Sequence, residues 1–158
     1  MPVKQLAAAA LVAAITFSSG ASGATKIADP KAFITSMYGT LAKGGEPGTG
    51  DDIFTPRIVA LRTLDTKEAH GEVGRMDLDI WTGGQDWKVS DVHVTAAPTD
   101  GVPTREIVVA KFKDFGKPSE MHFYFEKTAA GWKLDDIVSP LSGQDQVPWT
   151  YSLVLKYG

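Results

Sequence analysis

The chain has 158 residues, no cysteine and a formal net charge of −3. That mild acidity excludes a nucleic-acid binder, which needs concentrated Lys and Arg to displace counterions, and it gives no attraction to an anionic membrane surface. The missing cysteines exclude a thiol nucleophile, an iron–sulfur site, a Cys-based zinc site, a redox pair and a thioether-linked lipid.

Residues 1–24 read as an export signal. Lys4 supplies the positive start, Leu6 to Phe17 is a twelve-residue apolar run broken only by Thr16, and Ser22 and Ala24 stand at the −3 and −1 positions for cleavage. The run is shorter than the roughly 20 residues that span a hydrocarbon core. Cleavage after Ala24 leaves 25–158, the length of one domain. The expected location is periplasmic or secreted, with no membrane attachment after cleavage.

The first element of the remaining chain is a helix opened by Asp29-Pro30. Asp is a good N-cap, and Pro at the first helical position forfeits no hydrogen bond. Phe33, Met37 and Leu41 follow at i, i+4, i+8, with Ile34 and Tyr38 one position on, and predict one apolar stripe in which Phe33, Met37 and Leu41 are buried. A breaker-rich loop covers 43–51. Thr55-Pro56 repeats the arrangement and opens a second helix with Ile58, Leu61 and Leu64 on one face; the polar segment 65–76 reads as a loop, with a short extension of the helix through Glu68 as the alternative, and Arg57 and Arg62 lie off the apolar face and read as solvated. From Trp87 the apolar period falls from 3.6 to 2. Strands are predicted over 87–97, 104–112, 120–127 and 132–138, joined by links too short for parallel crossovers. Phe123 and Phe125 face one way and His122 and Tyr124 the other. Val109 and Trp132 are placed in the core. Ser152 to Lys156 reads as one last helical turn, with a short last strand as the alternative. The predicted fold class is α+β, with two N-terminal helices packed on an antiparallel sheet of four or more strands.

Several strings carry a resemblance. Phe33-x-x-x-Met37-Tyr38, Phe54-Thr55-Pro56-Arg57, Asp77-x-Asp79 followed by Gln85-Asp86-Trp87, and Gly131-Trp132-Lys133-Leu134-Asp135-Asp136-Ile137 resemble a bacterial exported family of unknown function within the nuclear transport factor 2-like superfamily. The resemblance covers nearly all of 25–158. It implies a single cone-like, cystatin-like α+β domain with a curved sheet. The superfamily hosts enzymes and non-enzymatic binders alike, so the fold alone does not give the function.

The densest chemistry lies in 77–87, where Asp77, Asp79 and Asp86 surround Gly83-Gly84 with Gln85 and Trp87 beside them. Close carboxylates can bind a hard cation or split into an acid and a base. The spacing fails as a calcium loop, and turn capping by Asp79 and Asp86 is the favoured reading. His93 and His122 fall on predicted strands; side by side they would line a pocket with Tyr124, while separate placement is favoured because no ligand spacing joins them. No serine elbow or phosphate loop occurs. No catalytic set, metal or cofactor is expected. The candidate ligand-binding residues are therefore Asp77, Asp79, Gln85, Asp86, Trp87, His93, His122 and Tyr124. The expected function is an exported, non-catalytic binding module for a small ligand or an exported protein. The alternatives are a small pocket acid/base enzyme and an immunity- or inhibitor-type partner protein.

Overall fold

A computed structural model describes residues 25–158 apart from 49, 100 and 142–146. The leader expected over 1–24 lies outside the described residues. In chain order come α1 (Pro30–Leu41), a 3-10 turn (Asp51–Ile53), α2 (Pro56–Glu68), β1 (Val89–Thr99), β2 (Val102–Asp114), β3 (Lys117–Thr128), β4 (Gly131–Leu141), β5 (Trp149–Thr150) and α3 (Tyr151–Tyr157). The strands form one antiparallel sheet in the order β1-β2-β3-β4-β5. The predicted meander is present; β2, β3 and β4 run longer than the sequence marks them, and β1 starts and ends two residues later than expected. The helices are not all N-terminal, because α3 follows the sheet.

Both predicted helix starts hold, by different chemistry. The Asp29 side chain accepts a bond from Ala32 N at 2.9 Å, a true N-cap. Thr55 stands at the cap position of α2 but makes no cap bond. Its hydroxyl donates instead to Asp135 Oδ1 of β4 at 2.8 Å, which ties the helix start to the sheet.

The buried side chains of α1 are Pro30, Ile34, Tyr38 and Leu41. Leu41 is buried as predicted, but the centre of the stripe is Ile34 and Tyr38, and Phe33 and Met37 pack half-buried on its flank. α2 departs further. Ile58 is its one buried apolar side chain among the described residues, Leu61 is half-buried and Leu64 is 43% exposed. The cause is placement. α1 lies on β1 and β2, whereas α2 meets α3 and the β4 edge and needs only a narrow apolar contact.

The inner sheet face carries Val108, Ala110 and Phe112 of β2, Met121, Phe123 and Phe125 of β3, and Leu134, Ile137 and Ser139 of β4, all buried. Each large apolar side chain removed from water contributes about 1.5–3 kcal/mol. Val109 belongs to the opposite face and is half-buried, as is Trp132 at the start of β4, so neither lies in the core as expected. A register shift in the β3–β4 pairing separates Tyr124–Asp136 from Phe125–Leu134. The extra residue reverses the alternation, so Leu134 and Ile137 both face inward and Asp135 and Asp136 are freed to bind the helices.

Candidate functional site

Segment 77–87 runs between α2 and β1 and folds on its own hydrogen bonds. Asp79 Oδ1 accepts from Trp81 N at 3.0 Å, Thr82 N at 2.9 Å and Thr82 Oγ1 at 3.0 Å. The main chain of Asp79 also bonds both glycines: its N–H donates to Gly84 O, and its carbonyl accepts from Gly83 N. The turn needs φ +75° at Gly83, a value glycine adopts without steric cost. A β-carbon there would sit 3.6 Å from both Ser139 Oγ and the Trp149 ring, so the turn lies directly on β4 and β5. Turn capping by Asp79 is what the sequence favoured. Asp86 does not cap: it is exposed, and its carboxylate accepts no hydrogen bond among the described residues. Gln85 Nε2 donates to Asp77 Oδ2 at 3.1 Å on the surface, and Trp87 packs half-buried against the core.

Asp79 looks onto a cleft of about 700 Å³ between α2, segment 74–80 and α3. Met76, Leu78, Ile80 and Leu155 give it apolar wall. Its polar groups are fixed in pairs. Arg62 of α2 donates through Nε to Asp51 Oδ1 at 2.7 Å and through Nη1 to the Tyr151 hydroxyl at 2.9 Å, and its guanidinium lies 4.9 Å over the Phe54 ring. Arg75 donates from its main-chain N (3.1 Å) and from Nη1 (3.2 Å) to the buried Asp65, and Nη1 also reaches Leu155 O of α3 at 3.3 Å. These arginines hold the two helices at a fixed separation. The lining carboxylates Asp51, Asp65, Glu72 and Asp79 outnumber the cations Arg62 and Lys67.

Burial pushes the Asp79 carboxyl above its ordinary range; the bonds from Thr82 and Trp81 oppose the rise and nearby Glu46 adds to it. Burial, reinforced by Asp79, raises the Tyr38 phenol well above its usual value, so it stays neutral and donates to Trp81 O at 2.5 Å. The Tyr151 phenol is also raised by burial, against the pull of Arg62.

The remaining candidates lie elsewhere. His93 on β1 pairs in register with Lys111, and Lys111 with Glu120, whereas His122 pairs with Val109. Strand β2 therefore separates the two histidines, which form no common site. His122 Nε2 bonds Glu120 Oε1 at 2.5 Å. That contact, with Lys111 further off, holds the Glu120 carboxyl below its usual range against a smaller effect of burial. Tyr124 borders a separate depression of about 170 Å³ with Glu106 and Asp135. Among the described residues no group of three or more His, Asp or Glu is placed to hold a metal ion, and no helix is long and apolar enough to cross a membrane.

The cleft thus unites Asp79 with Arg62, Asp65 and Tyr151, which the sequence reading missed. It took Arg62 for a solvated residue because it lies off the apolar face of α2. Its partners Asp51 and Tyr151 stand 11 and 89 residues away, beyond any local pattern. Comparison with family models, with curated proteins and with solved structures finds no match for the chain.

Proposed function

We propose that the chain is an exported binding module, cleaved after Ala24, that holds a small ligand in the cleft between α2 and α3. The order helix, helix, antiparallel meander supports the nuclear transport factor 2-like reading of the fold, with a concave sheet as part of that proposal. The observation that carries the functional reading is the cleft: about 700 Å³, within the roughly 300–1,000 Å³ of small-molecule sites, with apolar wall and polar groups already positioned. Excess carboxylate on the lining fits a ligand with an apolar body and a donor-rich or cationic head. Ligand-observed NMR with a panel of primary alkyl- and arylamines tests this. Saturable signals that vanish in Thr66→Trp, which fills the cleft from an exposed position on α2, are the expected result. Signals unchanged in that variant would overturn the cleft as the site.

One observation favours an enzyme instead: a carboxyl raised by burial, Asp79, on a cleft wall. Oδ1 takes all three turn bonds, which leaves Oδ2 alone to act, and the lining contains no histidine to complete an acid/base pair. Binding is the reading the geometry supports better.

A further inference from the structure

The two long edges of the sheet are finished differently. The outer edge of β4 is covered along its length by Ile27 opposite Trp132, Phe54 opposite Leu134 and β5 opposite Val138 and Ser139. β1 pairs with β2 alone, so the outward N–H and C=O groups of its other side have no strand partner among the described residues. An open strand edge is a template for another strand unless it is blocked. Here the blocking devices stand at the ends. The pairing with β2 shifts between Ser90 and His93, where Asp91 takes φ 49° and its carboxylate turns to Lys113 at 2.7 Å. Pro98 lacks an N–H at the other end. Between them the outward groups of His93–Ala97 have no strand partner among the described residues, a window of five residues or about 17 Å.

A groove runs beside that window. α1 lies antiparallel to β1: the Tyr38 ring meets that of Phe112, which spans the shifted register, and Asp29 acts on Glu106, which pairs with Pro98. Between helix and strand is a depression of about 360 Å³ lined by Val92 and Val94 of β1, by Lys31, Thr35 and Gly39 of α1 and by Ala42 just past its end. It is too small for a packed helix. It suits the alternate side chains of an added strand, and a β-carbon on Gly39 would meet nothing within 4 Å. The Lys31 ammonium, at the Val94 end, has no partner among the described residues.

We propose that the β1 edge and the α1–β1 groove form a second site, which binds an extended peptide segment by strand addition. Its backbone pairs with His93–Ala97. Its alternate side chains, small and apolar, enter the groove, and a carboxylate meets Lys31. This site is separate from the α2–α3 cleft and does not depend on it.

The test uses the purified protein and a fluorescein-labelled hexapeptide alternating valine and threonine with a C-terminal aspartate. Anisotropy should show saturable binding with Kd below about 1 mM, and amide shifts should concentrate on His93–Ala97 and α1. Methylating alternate peptide nitrogens should abolish binding, because it removes the donors. Gly39→Leu, which fills the groove and replaces a poor helix former, should weaken binding at least about tenfold, and Lys31→Glu by several-fold. Far-ultraviolet circular dichroism of both variants should match the parent. Absence of binding at 1 mM, equal binding of the methylated peptide, shifts that map elsewhere, or sedimentation showing the β1 edge closed by a second copy would each overturn the proposal.

Discussion

The Tyr38 hydroxyl of α1 donates to the main-chain carbonyl of Trp81 inside the core, across 43 residues of sequence. This bond links the first helix to the turn that Asp79 organises, and it satisfies a carbonyl in a residue with no solvent exposure. Tyr38→Phe keeps the ring and leaves that carbonyl unpaired. The expected cost is about 1–3 kcal/mol, read from urea denaturation. A loss below about 0.5 kcal/mol would show that the carbonyl finds another partner.

Asp79 should show its environment in the pH dependence of stability. Its folded pKa is raised, so the stability it contributes is fully present below its unfolded pKa and is lost as pH rises through the folded value. Asp79→Asn keeps an acceptor for the turn and removes this titration. Relative to the variant, the parent should therefore be more stable at pH 3 than at pH 7, with the two within about 1 kcal/mol at pH 7. Asp79→Ala removes the acceptor for three donors and should cost about 1–3 kcal/mol at either pH. Denaturation at both pH values checks the sign, and calcium or magnesium should not raise the melting temperature of the parent.

The assignment of strand faces can be tested with neighbouring valines. Val108 is fully buried, and Val109 is half-buried on the other face. Val108→Ala should cost about 2 kcal/mol and Val109→Ala less than about 1 kcal/mol. Phe123→Ala, in the centre of the inner face, should cost about 3–5 kcal/mol. Equal losses for the two valines would mean that the outer face is covered.

The proposed export and cleavage after Ala24 predict a defined start. Intact-mass measurement on material from the envelope or medium should find Thr25 as the first residue. A mass that retains 1–24 would remove the export part of the proposed function.

Much of the architecture was legible locally. The Asp29 cap, the prolines at the first helical positions, the change of period near Trp87 and the short links of the meander rest on interactions within a few residues. The errors share one cause, which is long-range contact. Phe33 and Met37 carry the same periodic signal as Ile34 and Tyr38, and only the position of the sheet decides which pair is central. In β4, Leu134 and Ile137 both face inward because of a register shift that no residue type marks. The site was half-legible for the same reason: Asp79 sits in a turn readable from Asp and Gly spacing, while Arg62, Asp65 and Tyr151 join it only once α3 has returned to α2.

Trp81 has no solvent exposure, touches the rings of Phe33 and Phe123, and leaves its indole N–H without a partner. An indole so isolated from dipoles that can reorient emits at the blue end of its range. Trp149, against Gly83, stands on the other side of the same turn. Two of the four tryptophans therefore flank the Asp79 turn, and motion there would register as a change in their share of the emission with no label attached.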